Sequence, residues 1–269
     1  MHDALDQIEK LANLRTYTET KFEGILKAAK QMGEEFYHLV DIDFSNLELS
    51  PKELEIADKI ATQIKTSFDF SIHSYTGKYK GFFMKWDYSD SEKNEISYDR
   101  LCRYIAQYIV LNSKILDLDI AELITRINFD FNTNEVVENY GEGTYTSMTF
   151  GSILFKEGSD KYTFRINLIF ILLLNDIYTY IEESTHLGEE FDNVKLAECA
   201  YALEYLYEFI IRTICHEMYH VAQFEKKIKY SDDLPPSELS YISYLLSMRE
   251  ATARLYADEA VKTILDKKA

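Results

Sequence analysis

The residues best suited to do chemistry lie together in Arg212-Thr213-Ile214-Cys215-His216-Glu217-Met218-Tyr219-His220-Val221-Ala222-Gln223, an HExxH sequence inside a long helical pattern. Residues four apart on a helix differ by about 40° in direction and sit one turn from each other, so His216 and His220 point the same way and can hold one zinc ion. Glu217 projects about 100° round from His216, where it can reach a metal-bound water without being a ligand itself. That is the position of a general base. The neighbours Thr213, Ile214, Cys215, Met218, Tyr219, Val221 and Ala222 are all uncharged. A solvent-facing helix would carry charges at several of these positions, so this one is expected to be buried on most sides. Two histidines and a glutamate buried together need a reason. The bland alternative is a pair of satisfied core histidines, with Glu217 in a cap or a salt bridge.

This segment resembles the zincin metallopeptidases, whose pattern of uncharged neighbours around HExxH is matched from Thr213 to Ala222. The close resemblance covers the motif and its flanks. The metzincin branch has a Gly and a third His shortly after the motif, but here Gln223 and Lys226 occupy the corresponding places and no His follows His220. A third protein ligand downstream must therefore be a carboxylate, or less often a Tyr or Cys. Over residues 237–266, Ile242, Leu246, Ala253, Ala257, Ala260 and Ile264 form one apolar stripe of an expected helix. Glu250 falls within the edge of that stripe, whereas Asp258 and Glu259 lie outside it as ordinary solvated charges. Burying an unpaired carboxylate is costly, and a dication removes that cost. The stretch Glu250-Ala251-Thr252-Ala253-Arg254-Leu255-Tyr256-Ala257 also looks like the glutamate helix of gluzincins. Four residues after the glutamate, thermolysin-like enzymes have an acid and this chain has Arg254, so the resemblance is to gluzincins broadly. Without a metal, Glu250 would simply pair with Arg254 one turn away.

The resemblance implies zinc-dependent peptide hydrolysis. Zn2+ would be held by His216, His220 and Glu250, with a water in the fourth position and Glu217 as the base that takes its proton. In zincins the substrate, a protein or peptide, lies extended along an edge strand before the active helix; the candidates here are Thr146 to Lys156 and Tyr162 to Leu168. Arg254 and Tyr244 are candidate oxyanion or substrate contacts, with Tyr241 and His186 as further choices. Two other classes stay open. One is a catalytically silent regulatory or binding protein of zincin fold whose metal is structural. The other is a metal-free structural protein in which Glu217 belongs to a buried ion pair.

The elements that must position these residues read as an α+β fold, mostly helical with a small antiparallel sheet. Helices are expected over much of residues 4–39, from the capping sequence Ser50-Pro51-Lys52-Glu53 to about Thr66, and over residues 98–111. The aromatic stretch from Phe68 to Trp86 fits either a hairpin or an ordered loop. Ile124 to Phe131 alternates apolar and polar residues as a half-buried strand does, and residues 146–156 and 161–168 are two further strands joined by the turn Glu157-Gly158-Ser159-Asp160. Long helical patterns follow over residues 169–184, 193–227 and 237–266. A soft boundary near 115–124 would divide a helical N-terminal region, 1–120, from a zincin-like metallopeptidase domain, 121–269.

Composition narrows the partners. The chain has 269 residues, with 46 acidic against 29 basic side chains and a net charge of −17. Such a surface repels phosphate backbones and anionic lipid, so neither nucleic acid nor membrane is an expected partner. The longest apolar stretch, Ile166 to Leu174, is too short for a spanning helix. Three cysteines without a CxxC pair and an acidic N-terminus without a signal-like apolar run point to a reducing, cytoplasmic setting. Cys215 beside His216 reads as a buried inert thiol.

Overall fold

The computed structural model describes residues 27, 31, 42–76, 91–132, 136–140, 143–147, 151–155, 160–167, 193–230, 232, 233, 243 and 246–266. Its elements are α1 (Pro51–Thr76), α2 (Ser91–Ile115), α3 (Ile120–Leu123), β1 (Ile127–Asn132), β2 (Val136–Tyr140), β3 (Gly143–Ser147), β4 (Gly151–Phe155), β5 (Tyr162–Asn167), α4 (Asn193–Glu225) and α5 (Met248–Asp266). The α+β class holds. The expected helices over residues 4–39 and 169–184 lie outside the described residues.

The first helix starts as its sequence dictates. Ser50 N–H donates to Glu53 Oε2 at 2.6 Å, and Glu53 N–H donates to Ser50 Oγ at 3.3 Å, a reciprocal capping box with Pro51 as the first helical residue. It runs ten residues beyond the expected end at Thr66, to Thr76. No Gly or Pro interrupts the chain between Pro51 and Gly77, so the aromatic residues from Phe68 onward meet no helix breaker. Residues 77–86 of that stretch lie outside the described residues. Helix α2 is also longer than its apolar periodicity, because its polar first turns continue the same helix.

The sheet differs from the expected antiparallel one. It is mixed, in the order β1-β5-β4: β4 pairs antiparallel with β5 as the expected hairpin, while β1 pairs parallel with β5, Ile127 opposite Tyr162 and Asn132 opposite Asn167. Alternation within a strand shows that one face is buried; it says nothing about the direction of the neighbour. The strand expected over residues 146–156 is divided between two, its first residues ending β3 and residues 151–155 forming β4. Of these, β3 pairs antiparallel with β2 in a separate two-stranded sheet, and β4 joins β5.

A single cluster of buried apolar residues extends from Ala57 and Ile60 of α1 through α2, β1, β4, β5 and α4 to Ile264 of α5. Helix α4 is central: α2, β4 and α5 all pack on it. Ala251, Ala253, Ala257 and Ala260 are buried, so α5 approaches α4 closely, and Tyr219 stacks on Tyr256 with ring centroids 5.0 Å apart. Asp258, expected as a solvated charge, keeps a half-exposed side chain and also pairs with Arg212, tying the two helices together. Among the described residues no helix is long and apolar enough to cross a membrane.

Strand β4 lies along α4 in the same direction. Gly151 approaches Thr213, Ile153 reaches Glu217, and Phe155 stacks on Phe224 with centroids 4.8 Å apart. At the far end Arg126 makes a two-pronged ion pair with Glu225 at 2.9 and 3.0 Å, and the Tyr162 hydroxyl joins the same carboxylate. The close approach at Gly151 leaves no room for a side chain: a Cβ there would lie 2.7 Å from the Arg165 carbonyl oxygen and 3.2 Å from Thr213 Cγ2. Gly151→Ala is therefore expected to push β4 off its neighbours and cost about 1–3 kcal/mol, seen as a lower melting temperature. Ser152→Ala is the control. Ser152 Oγ is buried without a hydrogen-bond partner among the described residues, and its removal should leave the melting temperature unchanged or raise it.

Candidate metal centre

Two helices build the site. Helix α4 carries His216, Glu217 and His220 in one continuous run, with Ile214, Cys215, Met218, Tyr219, Val221 and Ala222 buried around them. Burial pushes the Cys215 thiol up to about 12, which keeps it a neutral packing group. The third residue, Glu250, comes from α5. Within the expected helix over residues 237–266, Ser243 is helical, the chain turns at Leu246 and Ser247, and α5 begins at Met248, so Glu250 lies in its first turn; residues 237–242, 244 and 245 lie outside the described residues. The new start has a local cause. Ser247 Oγ accepts the Glu250 N–H at 3.4 Å, Ser247 O accepts the Ala251 N–H at 2.8 Å, and Asp232 Oδ2 accepts the Met248 N–H at 2.8 Å. Ser247-x-x-Glu250 is itself a helix-start sequence, except that its glutamate turns toward the histidines.

The donor atoms converge. His216 Nε2 lies 3.1 Å from His220 Nε2, His220 Nε2 lies 3.1 Å from Glu250 Oε1, and His216 Nε2 lies 3.4 Å from Glu250 Oε2. Tetrahedral zinc with bonds of about 2.0–2.1 Å sets neighbouring ligand atoms about 3.3–3.4 Å apart. The three separations observed here are close to that edge length. Two ring nitrogens 3.1 Å apart also repel as bare lone pairs, so something positive, a proton or a metal cation, belongs between them. Both carboxylates are buried, Glu250 4% and Glu217 8% exposed. This His216, His220 and Glu250 group can therefore hold a metal ion, and its residues fit zinc in donor type, number and spacing.

Glu217 sits beside the group. Its Oε2 accepts the Ile153 N–H of β4 at 2.8 Å, which links the carboxylate to the strand. In the order β1-β5-β4 of the described strands, β4 lies at the edge and β5 is central. Of the two segments expected to offer a substrate edge, Tyr162 to Leu168 is described as far as Asn167, and that part offers none, because β5 is paired on both sides. Arg254 reaches back one turn, its Nη2 3.6 Å from Glu250 Oε2, so its pairing with Glu250 coexists with the histidine contacts. Its Nη1 is buried and has no hydrogen-bond partner among the described residues. Tyr244, Tyr241 and His186 lie outside the described residues.

Sequence reasoning missed two contacts. The Ile153 N–H comes from a strand distant in sequence, and no local pattern announces it. Gln223, fully buried, faces His220 Nδ1 with its Oε1 at 2.8 Å. An uncharged amide one turn after the second histidine, in a segment otherwise free of charge, was the available signal. No protein-family model matches the chain, and neither the curated proteins nor the solved structures compared with it give a match.

The electrostatics set the two carboxylates apart. Burial pushes the Glu217 carboxyl up, and the nearby His216 and His220 offset only part of that. Burial acts on Glu250 in the same sense but is outweighed by His220 and His216, which hold it well below the ordinary value of 4.5. His220 would be lowered by burial, yet Glu250 raises it above 6.5. In the metal-free protein, the Glu250 contribution to stability is complete above pH 4.5 and is lost as pH falls through its depressed value. The His220 contribution is complete below pH 6.5 and is lost as pH rises through its raised value. Glu217, raised by burial, costs stability as pH rises through its own value. Thermal unfolding of the metal-free protein is therefore expected to be latest in mild acid and earlier at alkaline pH. Zinc should reverse the alkaline loss, because it competes with protons for the imidazoles and binds more tightly as pH rises. A metal-free melting temperature that climbs steadily into the alkaline range would contradict the His220–Glu250 pairing.

Proposed function

We propose that this protein is a zinc-dependent metallopeptidase of gluzincin type, hydrolysing peptide bonds with Glu217 as general base. The observation that carries this reading is the convergence of His216, His220 and Glu250 from two helices, with buried Glu217 next to them and the edge strand β4 alongside. Zinc held by those three residues would supply a Lewis acid that polarises a carbonyl and acidifies water. The remaining work falls to the chain. A carboxyl whose proton affinity is raised by burial suits Glu217 to accept a proton near neutral pH and to return it to a leaving amine. Strand β4 offers an extended substrate a backbone edge to pair with. Arg254 has an unspent N–H beside the cluster, with which it can hold developing negative charge or an anionic substrate group. A net charge of −17 favours neutral or basic peptides over nucleic acid, and the buried thiol of Cys215 suits a reducing, cytoplasmic setting.

A second reading has its own support. The Ile153 N–H occupies one oxygen of Glu217, as it would in a silent zincin-like protein that keeps a structural metal. Metal content and turnover separate the two. The zinc-loaded protein is expected to cleave members of a mixed peptide library, and Glu217→Gln should keep stoichiometric zinc while losing about 10²–10⁴-fold in rate. Stoichiometric zinc with no cleavage would favour the silent reading. A carefully prepared wild-type protein that takes up no zinc would overturn both.

A further inference from the structure

We infer that Gln223 is a positioning residue that fixes the metal-binding tautomer of His220 and couples it to the helix that carries Glu250. The inference rests on the metal-site reading above and adds a residue outside the three ligands.

The orientation of the Gln223 amide follows from its partners. Its Nε2 lies 2.9 Å from the Arg249 carbonyl oxygen, which can only accept, so the NH2 end must face it. The same Nε2 lies 2.8 Å from Thr252 Oγ1, whose own proton goes to the Met248 carbonyl at 2.8 Å and which therefore accepts here too. The Tyr230 hydroxyl completes the cluster, 3.2 Å from Gln223 Nε2 and 3.0 Å from Thr252 Oγ1. With the NH2 end committed, the carbonyl end is left facing His220 Nδ1 at 2.8 Å. An amide oxygen only accepts, so Nδ1 must carry the proton. A neutral His220 then has a bare Nε2, the atom that lies 3.1 Å from both His216 Nε2 and Glu250 Oε1.

The same side chain spans the two ligand helices. Gln223 stands one turn after His220 on α4, and its partners Arg249 and Thr252 flank Glu250 on α5. The connecting turn is held in the same network. Arg249 makes a two-pronged pair with Asp233 at 3.0 and 2.8 Å, and Asp233 Oδ2 accepts the Tyr230 N–H at 2.9 Å. Gln223 is fully buried, so its hydrogen bonds are not shared with bulk water. Removal of such a partner from a ligating histidine typically costs about 10–100-fold in metal affinity.

The test uses the full-length protein with zinc as the probe. Long-range 1H–15N correlation of the metal-free protein at alkaline pH, where the rings are neutral, reads the tautomer of each histidine. Zn2+ competition against a chelator reads the dissociation constant. His220 is expected as the Nδ1–H form in the wild type. In Gln223→Met, which keeps the volume but not the hydrogen bonds, it should shift toward Nε2–H, with zinc affinity weaker by about 10–100-fold. Thr252→Val, which removes one acceptor from the far end of the amide, should produce a smaller change in the same direction. Wild-type zinc binding with an unchanged His220 tautomer and affinity in Gln223→Met would overturn this inference and leave the metal-site reading standing. Absence of zinc binding by the wild type would overturn both. Should Gln223→Met fail to fold, the wild-type spectrum decides alone: His220 in the Nε2–H form would overturn the assignment.

Discussion

Glu217 and Glu250 are carboxylates buried in a predominantly apolar packing of helices, and the C-terminal half of the structure is arranged around satisfying them. An unpaired buried carboxylate costs a substantial part of the roughly 5–15 kcal/mol by which a domain is stable, so each needs a partner held in place by the fold. Glu250 finds two imidazoles, and Glu217 finds a backbone N–H of β4. Neither solution is local. The first requires α5 to return alongside α4, and the second requires an edge strand to lie along the same helix.

The packing that meets these demands also explains the small residues and the ion pairs around them. Alanines on α5 let its backbone approach α4, Tyr219 and Tyr256 stack across the contact, and Arg212 with Asp258 pins its outer side. On the strand side, Gly151 at one end and the Arg126–Glu225 pair at the other set where β4 lies along the helix. A displacement at either end would move the Ile153 N–H relative to Glu217. The site is thus only as well placed as contacts some distance from it allow.

Much of this was legible in the sequence, for identifiable reasons. HExxH fixes the mutual placement of its residues through helix geometry alone, so His216 and His220 had to face the same way once α4 formed. Glu250 was found because a carboxylate within an apolar stripe is anomalous wherever the helix starts. Its continuity was not legible: the apolar stripe suggests one helix from Ser237, but between helical Ser243 and Met248 the chain turns at Leu246 and Ser247, where the capping sequence Ser247-x-x-Glu250 starts the helix anew. The parallel pairing of β1 with β5 was not legible, because period-two alternation carries no direction. The length of α1 was underestimated because aromatic residues suggested β structure, where the absence of Gly or Pro before Gly77 was the stronger signal. Gln223 stands out in the sequence only for occupying the place of the metzincin glycine. Its role depends on Arg249 and Thr252, whose proximity comes from tertiary structure alone.

The two buried glutamates show how one environment assigns different tasks to the same side chain. Glu250 lies in the first turn of α5, where the unpaired N–H groups and dipole of the helix favour negative charge, and two imidazoles reinforce that preference. It is kept ionised, as a metal ligand must be. Glu217 lies inside α4, where no helix end assists it, and among the described residues its donor is the neutral N–H of Ile153. Burial therefore dominates and raises its proton affinity, as a general base working near neutral pH requires. Exchanging the two positions would place the readily protonated carboxyl among the ligands and the firmly ionised one at the base position. The proposed division between ligand and base thus follows from where each glutamate falls along its helix, beyond the spacing of the motif itself.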